Sequence, residues 1–305
     1  VREHARDAVH DEEHEVRFPD RAPDLLDDEI VNALPSGNGK PEEEGLKIGI
    51  IGKPNVGKSS LVNAYLGREQ MIVSEIPGTT RDAVDSRIMW RKEPIILVDT
   101  AGLKRRARVT EDIDYYSVLR TNKTIDRSDI LFLMLDASEP ITNQDARVAS
   151  LAAESGKGVV LLLNKTDKDL PDQLEKIREE IPHRMPFLKF APIVSTSAET
   201  RRGIGRALDV AREVETARHE KIPTSKLNDI IEAALIRNAP PAGRGKNQIF
   251  YGTQTGVAPP TFLFFAKEPE AVPPFYRKYL MRVIRETYPY EGTPIFIHIR
   301  KRDHR

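Results

Sequence analysis

The sequence predicts an α/β fold with a mainly parallel sheet, followed by a small α+β unit. Three observations predict it. From Leu46 onward, short apolar runs alternate with helical stretches, the pattern of a sheet covered on both faces. The first run feeds a glycine-rich loop, Gly52 to Ser59, that opens directly into a helix. Residues 221–305 then change to the order α-β-β-α-β.

Residues 1–46 read as an acidic leader and linker. Within it Leu26, Ile30, Val31 and Leu34 fall at helical spacing in Asp24–Leu34, and Pro35 to Gly39 break that pattern. Over residues 47–220 the strands are predicted at Lys47–Ile51, Ile95–Val98, Ile130–Asp136, Gly158–Leu163 and Ala191–Val194. They are near-continuously apolar, as expected when both faces of a sheet are buried. Helices are predicted at Ser59–Leu66, Ile113–Asp126, Ile141–Ser155, Pro171–Glu180 and Arg206–Arg218. In residues 221–305, Thr224–Ile236 and Pro273–Tyr288 read as helices. Asn247–Gln254, Thr261–Phe265 and Pro294–Arg300 read as strands, the first two separated by a turn with Gly256, Pro259 and Pro260.

The 305 residues suit about two domains. Formal charge is zero, from 47 basic and 47 acidic side chains, yet the charge is unevenly spread. Residues 1–45 carry 14 acidic and 5 basic side chains, and residues 237–305 carry 12 basic and 5 acidic. A basic tail of this kind points toward an anionic partner. The chain has no cysteine, which excludes disulfides and thiolate chemistry and fits a reducing cytoplasm. No apolar run approaches the ~20 residues of a membrane span, and the first residues are too charged for a secretory signal. A cytoplasmic protein with no membrane partner is expected.

Gly52, Lys53, Pro54, Asn55, Val56, Gly57, Lys58 and Ser59 form the Gly-x-x-x-x-Gly-Lys-Ser pattern, with Ser60 next in the helix. Its position between a strand and a helix lets backbone N–H groups converge on phosphates at the helix N-terminus. Lys58 is placed to reach the β- and γ-phosphates, and the Ser59 hydroxyl to ligate Mg²⁺. Asp99, Thr100, Ala101 and Gly102 follow the strand Ile95–Val98. Asp99 is expected at the Mg²⁺, and the Gly102 N–H at the γ-phosphate. Between the two motifs, in Pro77–Asp82, Thr80 is favoured over Thr79 to complete the Mg²⁺ shell while the triphosphate is bound. Asn164, Lys165, Thr166 and Asp167 end the strand Gly158–Leu163. The Asp167 carboxylate can accept from guanine N1–H and the 2-amino group, donors that adenine lacks, so the nucleotide is GTP or GDP. Asn164 braces the loop and Lys165 covers the base. In Ser195–Ala198, Ser197 and Ala198 can offer N–H groups to guanine O6. Lys58, Thr80 and Gly102 are the candidate catalytic residues.

These motifs resemble the translation-factor-related GTPases. Leu103 stands where Ras-like enzymes carry the glutamine that orients water. A hydrophobic residue there resembles the group that includes Era, MnmE, FeoB and the Der (EngA) family. That likeness implies K⁺ near the phosphates, with Asn55 as its matching ligand, and a slow intrinsic rate raised by K⁺ and by an activating partner. Leu103–Val109, Pro259–Phe265, Tyr276–Leu280 and Gly292–Arg300 narrow the resemblance to the Der family over residues 47–305. It implies a P-loop GTPase domain with a KH-like domain behind it, and work on large ribosomal subunit assembly through the subunit or its rRNA. Asp24–Leu34 resembles the last helix of that family's upstream G domain, while Thr166 stands where many members carry Trp.

Gly243 to Lys246 is not the Gly-x-x-Gly loop of RNA-clamping KH domains. Arg237, Arg244, Lys246, Arg277, Lys278, Arg282, Arg285, Arg300, Lys301 and Arg302 are instead candidate phosphate contacts. Tyr276, Tyr279, Leu280 and Val283 read as core. The resulting expectation is a Mg²⁺-dependent GTPase switch that binds rRNA or a pre-ribosomal particle in its GTP form. Two alternatives stand beside it, an RNA-modification GTPase and a GTP-binding scaffold of low turnover.

Overall fold

The computed structural model describes residues 45–67, 74–75, 85–100, 114–168, 171–240 and 248–302. The leader, Thr80, Ala101, Gly102, Leu103, Arg244 and Lys246 lie outside the described residues. Residues Glu44–Arg305 make up one compact unit.

The larger sheet contains β1 (Leu46–Ile51), β2 (Ser74–Glu75), β3 (Ser86–Trp90), β4 (Glu93–Val98), β5 (Ile130–Asp136), β6 (Gly158–Asn164) and β7 (Ile193–Ser195). Their order is β2-β3-β4-β1-β5-β6-β7. The run from β4 through β1, β5 and β6 to β7 is parallel, and β2 and β3 add an antiparallel edge. All seven residues of β5 and of β6 are buried, so the centre of the sheet is covered on both faces.

The strand period sends alternate side chains to opposite cores. Ile130, Phe132 and Met134 meet α1 (Lys58–Leu66) and α5 (Ile204–Arg218) through Leu61, Tyr65, Leu208 and Ala211. Leu131, Leu133 and Leu135 meet Ile125 of α2 (Asp114–Asp126), Ala149 of α3 (Asn143–Glu154) and Ile177 of α4 (Pro171–Arg184). α3 begins at a capping box, in which Thr142 and Asp145 satisfy each other's backbone N–H.

The smaller sheet is three-stranded in the order β10-β9-β8, formed by β8 (Ile249–Gly256), β9 (Thr261–Ala266) and β10 (Phe296–Lys301). Helices α6 (Thr224–Arg237) and α7 (Pro274–Thr287) pack on one of its faces. Leu227, Ile231, Tyr276, Leu280 and Ile284 meet Phe262, Phe264 and Ala266 there. Tyr276 and Tyr279 are core as expected, their hydroxyls donating to the Asn238 and Ala234 carbonyls.

The two sheets are joined by backbone bonds. The Val159 N–H donates to the Gly292 carbonyl at 2.6 Å, and the Gly292 N–H to the Phe190 carbonyl at 2.7 Å. The Gln254 amide fixes the connection by accepting from Ile222 N–H and donating to the Glu220 carbonyl.

Three elements differ from the sequence expectation. β3 pairs with β4 through a tight turn in which Arg91 and Lys92 both have positive φ, 50° and 68°. Neither is a glycine or asparagine, so the hairpin lacks its usual sequence signal. α4 runs on through Pro182 to Arg184, past the expected end at Glu180. Arg285 is also not a free surface cation. Its guanidinium donates to the carbonyls of Pro289, Tyr290 and Thr293 and lies 5.2 Å over the Phe190 ring, so it braces the joint between the sheets.

Candidate functional site

The C-terminal ends of β1, β4, β6 and β7 carry the motif residues, the position where open parallel sheets place ligands. The loop from β1 turns sharply at Gly52 and again at Gly57, with φ of 147° and 101°. A Cβ on Gly52 would lie 2.6 Å from the Met134 carbonyl, and one on Gly57 would lie 2.3 Å from the Asn164 amide nitrogen. Both positions therefore require glycine. Among the described residues no side chain caps α1, which starts at Lys58, and the positive end of its dipole suits an anion.

Lys58 folds back over the loop and donates to the carbonyls of Gly52 and Lys53 at 2.8 and 2.6 Å. Lys53 pairs with Glu139 at 3.3 Å and with Asp145 at 3.1 Å. Burial alone would lower the Lys53 ammonium's pKa; the two carboxylates outweigh it and hold it above its usual value. Pro54, Asn55 and Ser60 are exposed, Val56 is buried, and Asn55 takes a left-handed φ of 64°.

Asn164 is the hub of the site and is 2 % exposed. Its amide nitrogen donates to the Val56 carbonyl at 2.8 Å, and its oxygen accepts from Ala198 N–H at 3.0 Å and from the Thr196 hydroxyl at 3.4 Å. One side chain thus ties β6 to the β1–α1 loop and to the segment after β7. The turn Thr166–Lys168 is pinned by the Thr166 hydroxyl on the Thr196 carbonyl at 2.9 Å, and it leaves Asp167 exposed.

Three arrangements depart from the sequence expectation. The Ala198 N–H is held by Asn164 and the Ser197 N–H by the Arg202 carbonyl, so both amides brace the site and neither is open to a base. The Lys165 ammonium pairs with Asp136 at 2.5 Å. Burial would raise the Asp136 carboxyl, and Lys165 with Ser138 reverses this, leaving it below the usual carboxylate range. Asp99, with a left-handed φ of 57°, has both carboxylate oxygens on Arg120, at 2.7 and 3.1 Å. Its N–H donates to Asp85, which also receives Arg127. Thr100 is buried against the Ser86 hydroxyl at 2.8 Å.

Sequence reasoning missed Arg120, Arg127, Asp85, Asp136 and the acids around Lys53. Only Asp136 carried a signal, as a carboxylate closing an apolar strand just as Asp99 does. Among the described residues, no group of three His, Cys, Asp or Glu is gathered for a metal. Ser59 and Asp99 instead offer a hydroxyl and one carboxylate, hard oxygen donors that fit Mg²⁺ when phosphates supply further ligands.

Residues 47–165 match the family model described as 50S ribosome-binding GTPase. Residues 221–300 match the model described as the C-terminal KH-domain-like region of EngA bacterial GTPase enzymes. The chain is 42 % identical over 283 residues to GTPase Der of Desulforudis audaxviator, covering 92 % of this chain and 64 % of that protein. It is 43 % identical over 279 residues to GTPase Der of Caldanaerobacter subterraneus subsp. tengcongensis, covering 90 % and 63 % respectively. The chain therefore spans a little under two thirds of the length of these relatives. A solved structure of Aquifex aeolicus Era bound to GDP.AlF4- is 20 % identical, with a TM-score of 0.42 over 85 % of this chain and 93 % of that one.

Proposed function

The chain belongs to the GTPase Der family, and from that premise we propose that it is a GTP-operated switch acting in large ribosomal subunit assembly. Residues 47–220 are its GTPase domain and 221–305 its KH-like domain, with the switch reading nucleotide state in one and engaging rRNA or a pre-ribosomal particle through the other. The observation that carries this reading is the Asn164 brace, which gathers the phosphate loop, the base-reading strand end and Ala198 into one site.

In this reading the α1 N-terminus and Lys58 hold the triphosphate, and Asp167 selects guanine. Water attacks the γ-phosphate, giving GDP and inorganic phosphate. Mg²⁺ would be held by Ser59, Thr80 and Asp99 and would offset the charge on the phosphates. Asp99 must leave Arg120 to serve it. The Leu103 side chain cannot orient a water by hydrogen bonding, so charge stabilisation is the remaining route; Asn55 would help hold a K⁺, which would supply positive charge near the phosphates. Single-turnover hydrolysis is expected to run about tenfold or more faster in K⁺ than in Na⁺ at equal ionic strength. Equal rates in the two salts would remove the Asn55 role.

The switch itself is tested by co-sedimentation with purified large ribosomal subunits, with GDP and with a non-hydrolysable GTP analogue, at two salt concentrations. The expected result is binding that requires the analogue and weakens as salt rises. Binding indifferent to nucleotide would defeat the reading. Among the described residues no helix is long and apolar enough to cross a membrane, and the cytoplasm, where ribosomes assemble, is the proposed location.

A further inference from the structure

We propose that the open face of the smaller sheet is a stacking platform for single-stranded RNA. The inference rests on the ribosomal reading above and gives it a contact surface.

The three strands alternate between two faces. Phe262, Phe264, Ala266, Ile249 and Ile295 point into the core under α6 and α7. Tyr251, Leu263 and Phe265 belong to none of the buried core clusters and lie on the opposite face. The register sets them in rows. Tyr251 pairs with Phe265, which pairs with Arg300; Thr253 pairs with Leu263, which pairs with His298. The Tyr251 and Phe265 rings are stacked, with centroids 4.6 Å apart and planes 23° apart. Tyr251 is 41 % exposed, a large share for an aromatic ring on a strand. Beside this row the Arg302 guanidinium lies 5.1 Å over the Phe250 ring.

Charge selects the partner. β8, β9 and β10 contain no Asp or Glu, while Arg300, Lys301 and Arg302 are exposed at the end of the row. Stacked aromatic faces beside arginines, on a sheet without carboxylates, suit unpaired bases and their phosphates. Among the described residues, the GTPase domain meets this face at its other end. There the Gly156 turn meets Pro259 and Phe296, to which a Cβ on Gly156 would lie 3.2 and 3.4 Å away. The Tyr251–Phe265–Arg300 row is four residue pairs further along β9 and β10. Stacking is tolerant of base identity, so this surface needs no Gly-x-x-Gly clamp.

The test is fluorescence anisotropy of the whole chain with labelled oligouridine about 12 nucleotides long, and with a duplex of the same length. The parent is expected to prefer the single strand. Tyr251→Ala is expected to weaken binding about tenfold, whereas Tyr251→Trp retains it. Arg300→Gln is expected to weaken binding and lower the salt slope by about one. Lys226→Gln, an exposed position on α6, controls for charge alone and should change little. Tyr251 is 41 % exposed, so Tyr251→Ala should lower the thermal midpoint by no more than about 4 °C, and Phe265→Leu provides a second probe of the stack. No oligouridine binding, equal binding to the duplex, or binding indifferent to both ring substitutions would overturn the platform. So would self-association that Tyr251→Ala abolishes, since the face would then seat a second copy. Co-sedimentation of Tyr251→Ala with large subunits, run alongside, separates the two readings. Intact subunit binding without any oligouridine effect defeats the platform alone, and intact oligouridine binding without subunit binding defeats the ribosomal reading.

Discussion

Asn164→Ala is expected to lower the thermal midpoint by about 10 °C and to weaken guanine-nucleotide binding by about a hundredfold or more. The side chain is buried, and its hydrogen bonds join three chain segments. Removing it leaves the buried Val56 carbonyl and Ala198 N–H without their partner. An orphaned buried group costs about 1–3 kcal/mol, so two such groups cost about 2–6 kcal/mol. The binding loss has a separate cause. The loop between β1 and α1 takes its position from the Asn164 contact at Val56, and a shift of about 1 Å in a positioned group costs about a hundredfold.

Asn164→Asp sharpens the test. It conserves shape and keeps an acceptor for the Ala198 N–H, but it turns a carboxylate oxygen toward the Val56 carbonyl. It should therefore be at least as damaging as alanine, although it is nearly isosteric. Thermal unfolding and titration with a fluorescent GDP analogue read both effects. A midpoint unchanged within about 1 °C would show that Asn164 does not hold the site together.

The parts of this molecule that were legible in the sequence are those where one pattern had one physical meaning. The β5 run Ile130–Asp136 and the β6 run Gly158–Asn164 are apolar to their polar ends because both faces of the central sheet are covered. The Gly52–Ser59 loop was legible for a similar reason, since its glycines sit where backbone and side chain approach too closely for a Cβ. The hairpin of β3 and β4 was not, because Arg91 and Lys92 adopt positive φ without the residues that announce it. Tertiary pairing there outweighs local preference.

The site showed the same division. Motif residues could be named, but their partners come from distant parts of the chain. Arg120 meets Asp99 across 21 positions, and Asp145 meets Lys53 across 92. Neither pairing has a sequence signature. Arg285 was misread for the complementary reason. Charge at one position cannot distinguish a cation facing solvent from one spanning three carbonyls at a joint.

Asp167→Asn is expected to lower GTP affinity by about a thousandfold and to reverse the preference between GTP and xanthosine triphosphate. A carboxylate accepts from both guanine N1–H and the 2-amino group. Asparagine offers one acceptor, and its amide nitrogen would face that amino group donor to donor. Xanthine has a carbonyl in place of the 2-amino group, so the same amide would accept from N1–H and donate to that carbonyl. Sites built to hydrogen-bond a ligand reject a mismatched analogue by as much as ~10⁴–10⁵, and the exposure of Asp167 sets the expectation below that limit. The substitution should leave stability unchanged, because the turn is fixed by Thr166 on the Thr196 carbonyl and by Lys168 N–H on the Lys165 carbonyl. Competition of the two triphosphates against a fluorescent nucleotide reads the reversal. Weakened binding of both without reversal would place Asp167 outside the base contact, whereas reversal at an unchanged thermal midpoint assigns guanine selection to this one carboxylate.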